Sequence, residues 1–368
     1  MIPSFFEGDG WPMIVWIALV LSFMFWTACL IGICIFYYRD YRYRSHYTRI
    51  YPVLRDFIYE HVLIANTFNH FPIEKLSLDL DKRIVRKVVR QILHEFIFTI
   101  GGEKGRSMRN LFNEMGFDKE AQYEIRHSAK HVLATVRSLS DLALMQVNIQ
   151  DDILNQLLGS PRVEIRVAAY KYLVQVEGEQ AFDRIFAGIY GISELDALDI
   201  YQSIVLTDYV GAYRFSQWLD DSKTYAVNSL YMDLMVYYQQ LDEEELWKLI
   251  MARKELRTVQ KAINALGKLL ARASEDQLQC LFHKEQDLNL KIEIIKAIGR
   301  LGQGKSIDLL ETIFKDKNSV LVLRKHAYRS LIAQKPYSAS CLRKLDNEVE
   351  SDDDKLIRYI NHPMVHYF

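Results

Sequence analysis

The stretch Leu290-Lys-Ile-Glu-Ile-Ile-Lys-Ala-Ile-Gly-Arg-Leu-Gly302 carries apolar residues at 290, 294, 297, 298 and 301, a spacing that only a helix gathers on one side. Within it, Ala297 is followed four residues later by Leu301. The same pair recurs at Ala129/Leu133, Ala169/Leu173, Ala226/Leu230, Ala262/Leu266 and Ala327/Leu331, with Ala197/Tyr201 as a degenerate copy. Successive alanines stand 40, 28, 29, 36, 35 and 30 residues apart, room for two helices and two turns each time. A small residue lets neighbouring helices approach, and the leucine one turn later fills the layer beside it. One such hairpin cannot bury its apolar face alone, so the pattern predicts stacked hairpins. Helix starts are expected in the same register: Ser160-Pro161 as N-cap and first helical position, Ser274 with Gln277 as a capping box.

Working outward, Val163-Glu-Ile-Arg-Val-Ala-Ala-Tyr-Lys-Tyr-Leu173 and Leu323-Arg-Lys-His-Ala-Tyr-Arg-Ser-Leu331 follow the same scheme. With the first stretch, they resemble second helices of HEAT repeats, over roughly residues 120–340. The resemblance implies an all-α fold built as an α-solenoid, and says little about function because such solenoids do many jobs. A looser resemblance covers nearly the whole chain. An apolar N-terminal run, a basic helix from Lys82 to Arg90, then Gly101-Gly-Glu-Lys-Gly-Arg-Ser-Met-Arg-Asn-Leu-Phe-Asn-Glu-Met-Gly-Phe117 and the repeats are similar to bacterial membrane-anchored HEAT proteins. That group is associated with family 2 glycosyltransferases and exopolysaccharide or envelope systems. The resemblance implies an accessory role beside a membrane glycosyltransferase.

The apolar run extends from Trp11 to Tyr38 without one Asp, Glu, Lys, Arg or His. As a helix it exceeds the hydrocarbon core of about 30 Å. Trp11 sits at one rim; Tyr37, Tyr38, Tyr41 and Tyr43 sit at the other, where interfacial aromatics belong. Ahead of the run stand only Glu7 and Asp9, whereas Arg39, Arg42, Arg44 and Arg49 follow at once. The positive-inside rule therefore places residues 39 onward in the cytoplasm and the N-terminus outside the inner membrane. With no basic n-region, the run reads as an uncleaved single-pass anchor. Ala28 and Gly32 form a small-xxx-small pair within it, as chance produces in apolar helices.

The expected organisation is a short outer tail (1–10), a transmembrane helix (11–38), a juxtamembrane helical region (39–120), the solenoid (121–345), and an acidic linker with an aromatic tail (346–368). Half of the 368 residues are hydrophobic and a quarter charged, so most of the chain should fold. Scarce glycine (16) and proline (7) argue against an all-β protein, and a net charge of −1 against a globally basic nucleic-acid binder. Four cysteines supply neither a disulfide framework nor paired zinc spacing.

Candidate sites are few. Gly299-Arg-Leu-Gly-Gln-Gly304-Lys305-Ser306 matches the P-loop pattern GxxxxGK[ST]. A P-loop follows a buried strand, whereas Ile292 to Ile298 keep the helical repeat, so the motif is expected to be an inter-repeat turn with Ser306 as the next N-cap. His127 and His131 stand four apart, a spacing zinc can use, but no third ligand is evident; they are expected on the solvated side of a helix. Lys82, Arg83, Arg86, Lys87 and Arg90 form a basic face beside the apolar stripe of Ile84, Val85, Val88, Val89, Ile92, Leu93 and Phe96, suited to anionic lipid, a partner or plain solvation. Trp218 with Asp220 and Asp221 bears a faint likeness to residues of HEAT-like DNA glycosylases. Lys171, Asn264, Arg300 and Arg329 fall between the packed alanines and leucines and are expected to line a partner-binding surface. No nucleophile–base arrangement is legible. The expectation is a scaffold without cofactor, metal or nucleic acid, binding a protein partner. The alternatives are a nucleotide-dependent or lyase/glycosylase-like enzyme, or an anionic-lipid sensor.

Overall fold

The computed structural model describes residues 11–64, 71–100, 102–127, 131–207, 213–347 and 351–362. The expected outer tail, Ala129 of the first Ala/Leu pair and the last six residues of the aromatic tail lie outside them. Among the described residues every regular element is a helix and none is a strand. The chain divides into two compact units, Met1–Val147 and Asn148–Phe368.

The first unit is built on α1 (Trp11–Ile58), 48 unbroken residues or roughly 72 Å of helix. Its first half is long and apolar enough to cross a membrane, and none of the described residues covers it. Trp16, Phe23 and Phe36 are each about 70% exposed, at odds with water as their solvent. From Tyr43 the same helix turns amphipathic. Ile50, Leu54, Phe57 and Ile58 are buried in a core shared with α2 (Arg83–Ile97) and α3 (Gly102–Glu114). The stripe expected on α2 supplies Val85, Val88, Val89, Ile92 and Leu93 to that core, with Ile84 and Phe96 at its edge. Tyr43 donates to Gln91 Oε1, and Tyr47 donates to Glu95 Oε2 at 2.6 Å, tying α1 to α2 just beyond the apolar half. The expected transmembrane helix and the start of the expected juxtamembrane region thus share one helix.

The first unit closes with α4 (Phe117–Arg126) and α5 (Val132–Leu144), which pack on each other. It ends at Val147, not at the boundary expected near 120. Leu133 is a correction too: at the start of α5 it is 86% exposed, because this helix packs through Leu139 and Leu142 instead.

In the second unit, α6 (Asp151–Leu158) precedes α7 (Val163–Glu177), α8 (Phe182–Gly188), α9 (Glu194–Val205) and α10 (Tyr225–Tyr237). Then come α11 (Glu243–Ala252), α12 (Leu256–Lys268), α13 (Glu275–Lys284), α14 (Leu288–Leu301), α15 (Ile307–Lys315), α16 (Leu321–Ala333), α17 (Lys335–Asn347) and α18 (Ser351–Asn361). Helices α7, α9, α10, α12, α14 and α16 each pack on the next of that series, while α11, α13 and α15 each pack on the helix that follows them. The alanines of the repeated pair lie at these contacts: Ala169, Ala262, Ala297 and Ala327 are fully buried, and so are Leu173, Leu266 and Leu331. Ala197 is buried, whereas Tyr201 is only half-buried.

The helix caps differ from expectation. Arg162, not Ser160, is the N-cap of α7, and Ser160 Oγ accepts from Arg162 N–H at 3.2 Å. Ser274 and Ser306 do stand at N-cap positions, but neither caps. Each is fully buried and donates to a glutamate at the start of an earlier helix, Ser274 to Glu243 of α11 and Ser306 to Glu275 of α13, both at 2.6 Å. Each also accepts a hydrogen bond, from Trp247 and Gln279 respectively. These two triads repeat at an interval of 32 residues, and buried hydroxyls need such partners. The acidic segment expected as a linker carries α18, whose Leu356, Ile357 and Ile360 are buried as it packs on α16.

Candidate functional site

Where α1 leaves its apolar half, Arg39 and Arg42 stand three residues apart on one side of the helix. On α2, Arg83, Arg86, Lys87 and Arg90 recur at intervals of three and four, so they too share one side. These residues and Arg137 of α5 surround a cavity of about 890 Å³, with Phe36, Tyr38 and Ile84 among its apolar lining. Two groups that sequence reasoning treated separately, the membrane-interface arginines and the basic face of α2, therefore form one site. Arg44 lies outside it, paired with Asp40 at 2.8 Å. Arg137 was missed, since nothing in its own neighbourhood of sequence marks it.

The basic face is not uniform. Lys82, the N-cap of α2, pairs with Asp79 at 2.9 Å. Arg86 gives Glu120 of α4 two hydrogen bonds, at 3.0 and 2.8 Å, and lies 4.6 Å over the Phe117 ring. Arg90 is a correction: it is 6% exposed and pairs with Asp141 of α5, itself 2% exposed, with Glu124 at 4.0 Å. His94 Nε2 lies 3.1 Å from Asp141 Oδ1. Burial pushes the Asp141 carboxyl up to about 6, against Arg90 and Arg137. Burial, helped by the same two arginines, pushes His94 down to about 4. Arg86 and Arg90 are thus clamps between helices. Arg39, Arg42, Arg83, Lys87 and Arg137 are exposed, and none makes an ion pair with a described carboxylate.

The second unit carries a shallower, polar groove of about 580 Å³ across α10, α12, α14 and α16. Arg257 lies 4.0 Å over the Tyr225 ring and pairs with Glu194 at 2.8 Å. Lys261 holds Asp233 at 2.6 Å; Glu293 accepts from Lys296 at 2.7 Å and from Asn264 at 3.1 Å. Burial, with Lys296, Arg329 and Lys325 nearby, pushes His326 down to about 4, so it enters the groove as a neutral acceptor or donor. Of the residues expected on this surface, Asn264 lines the groove. Lys171 lies on α7, paired with Asp199 at 3.2 Å; Arg300 is exposed on α14 and Arg329 half-buried on α16.

The P-loop-like motif has no strand before it. Gly299 lies inside α14, Gly302 ends that helix in the left-handed region at φ 65°, and Gly304 turns at φ 78° beside Tyr337. Lys305 Nζ pairs with Asp276 at 3.2 Å with both side chains half or more exposed, and Ser306 is spent on Glu275. Exposed pairs contribute little, so Lys305→Ala should shift unfolding free energy by less than about 0.5 kcal/mol. Millimolar ATP or GTP should leave the melting temperature unchanged, and a saturable shift abolished by the substitution would restore the nucleotide reading.

His127 and His131 are corrected as well: α4 ends at Arg126, so the two do not share a helix. The His127 ring lies tilted against that of Tyr123, with centroids 4.3 Å apart, and its Nδ1 contacts the Tyr123 carbonyl at 2.9 Å. Trp218 donates to Tyr213 at 2.6 Å, Asp220 accepts from Ser222 N–H, and Asp221 pairs with Lys254, so the glycosylase-like residues hold a loop together. No protein-family model matches this chain, and no curated protein matches it.

Proposed function

We propose that the protein is a membrane-anchored scaffold. In this reading the apolar half of α1 crosses the inner membrane once, with the N-terminus outside, and the second unit is a cytosolic HEAT-like solenoid that grips an acidic segment of a protein partner. The observation that carries it is the polar groove shared by four helices of one packed series, with Arg257, Lys261, Lys296 and His326 along its length. A groove continuous over several repeats suits an extended polypeptide better than a small molecule. The buried Ala/Leu pairs and the serine triads 32 residues apart support the repeat architecture. Arg39, Arg42, Arg44 and Arg49 directly after the apolar run support the orientation. A cytosolic loop of a membrane glycosyltransferase is the partner suggested by the looser resemblance. The anchor would confine both proteins to one surface and raise their effective concentration without adding a contact.

The test is site-specific photo-crosslinking of the full-length protein in bacterial membranes. A crosslinker at Asn264 or Gln260 should give one discrete heavier adduct, and one at Lys284 on outer helix α13 should give none. Arg257→Glu, at an exposed residue that lines the groove, should reduce the adduct several-fold while the helical circular-dichroism signal is unchanged. Equal adducts from groove and outer positions, or substrate turnover by the purified protein alone, would overturn the scaffold reading. A periplasmic reporter that is active at the C-terminus would overturn the orientation.

A further inference from the structure

We infer that the cavity between α1, α2 and α5 binds the phosphate of an anionic lipid headgroup. The inference rests on the reading that the apolar half of α1 lies in a membrane, and is independent of what the second unit binds.

An ordinary stop-transfer flank needs only the arginines next to the span. Here cations from two further helices, Arg83 and Lys87 of α2 and Arg137 of α5, line the same cavity as Arg39 and Arg42. Seven basic side chains face three carboxylates there, and those carboxylates are already committed. Asp40 pairs with Arg44, Glu120 with Arg86, and Glu124 accepts from Ser138 beside Arg90. The five remaining cations have no carboxylate partner among the described residues; Arg42 and Lys87 lie over the Tyr38 and Tyr43 rings, at 5.9 and 5.3 Å, and an anion entering the cavity would meet all five. The helices that carry them are tied to one another. The Tyr43–Gln91 and Tyr47–Glu95 hydrogen bonds hold α1 against α2, while Arg86 and Arg90 hold α2 against α4 and α5. The helices that carry the cations are therefore in place before binding, and only the exposed side chains remain to be ordered.

Position selects a lipid over a dissolved phosphate. Phe36 and Tyr38 at the end of the apolar run line the cavity together with Arg42. Phe36 and Arg42 are six residues apart, about 9 Å along a helix, enough to cross one headgroup layer. A phosphate seated among the cations would leave its acyl chains beside the exposed apolar surface of α1. The volume of about 890 Å³ falls in the range of small-molecule sites and accommodates a phosphoglycerol group.

The experiment uses the full-length protein in neutral detergent at about 150 mM salt, where long-range screening removes diffuse attraction. Thermal stabilisation is titrated with short-chain phosphatidylglycerol, short-chain phosphatidylcholine, glycerol 3-phosphate and inorganic phosphate. Phosphatidylglycerol should stabilise saturably, and the other three should not at equal concentration. The triple variant Arg83→Gln, Lys87→Gln, Arg137→Gln should bind it on the order of a hundredfold more weakly, and Arg137→Gln alone about fivefold. A control triple at exposed sites of the second unit, Lys268→Gln, Arg272→Gln, Lys284→Gln, should bind like the parent. Should the first triple melt early in the absence of lipid, the single variant carries the comparison. Equal stabilisation by glycerol 3-phosphate or inorganic phosphate would overturn the lipid source, and equal losses in both triples, or no saturation, would overturn the site. Carbonate extraction of membranes tests the anchor separately, so failure of that reading is distinguishable from failure of the cavity.

Discussion

Arg90→Ala should destabilise the first unit by about 3–5 kcal/mol, the cost of leaving a buried charge without its partner. The side chains of Arg90 and Asp141 are 7% and 3% exposed, so water cannot replace the lost guanidinium. Neutral His94 remains 3.1 Å from Asp141, but a neutral imidazole does not neutralise a carboxylate. The loss should depend on pH with a definite sign. Burial raises the folded-state pKa of Asp141 to about 6, above its unfolded value, so its contribution is favourable at low pH and is lost as pH rises through the folded pKa. Without Arg90 that pKa rises further. The variant's deficit should therefore be larger at pH 8 than at pH 5, read by thermal unfolding of the detergent-solubilised protein. Arg90→Met with Asp141→Leu should recover most of the loss, because an apolar pair needs no compensation. A deficit under about 1 kcal/mol at pH 8 would show that the pair does not clamp α2 to α5.

Gly267→Ala and Gly299→Ala should both destabilise the second unit, although alanine favours a helix over glycine by about 1 kcal/mol. A Cβ on Gly267 would lie 2.8 Å from Ala297 Cα, and one on Gly299 would lie 2.5 Å from Ser330 Oγ and 2.9 Å from Ser330 Cα. Both obstacles belong to neighbouring helices, so backbones must separate, at an overpacking cost of about 1–3 kcal/mol. Valine at either position should reach the upper end of that range. Gly188→Ala is the comparator, since nothing stands within 4 Å of its Cβ position; it should stay within about 0.5 kcal/mol of the parent. Chemical unfolding of the three alanine variants checks the ordering, and a stabilising Gly267→Ala would refute the close approach of α12 to α14.

These glycines also show how far local pattern carries. The Ala/Leu pairs were legible because a helix repeats its surface every three to four residues whatever its surroundings. The close approach at Gly267 and Gly299 was not, because it depends on which residue of the next helix lies opposite. Leu133 matched the pair spacing and is nonetheless exposed, since spacing names a side of a helix without saying whether anything covers it. Ser274 and Ser306 were legible as N-cap residues, yet their hydroxyls serve Glu243 and Glu275, competitors some 30 residues distant. The spacing of His127 and His131 suits one helix, yet α4 ends at Arg126 and α5 begins at Val132, so neither lies inside a helix.

What the sequence determined by itself follows from quantities summed along the chain: an all-helical protein, an apolar run long enough to cross a membrane, and basic residues directly after it. Length, periodicity and charge order need no partner to be read. The tertiary structure alone decided which cations are paired with a carboxylate and which are not. Arg86 and Arg90 share a side of α2 with Arg83 and Lys87, and no local rule separates them. The carboxylates that claim the first two, Glu120 and Asp141, arrive from α4 and α5, 34 and 51 residues further on. The cavity exists because Arg137 comes from α5 to the same place without bringing a further carboxylate to neutralise it. A charge is either a clamp or a site according to what folds against it, and that is a property of contact, not of order along the chain.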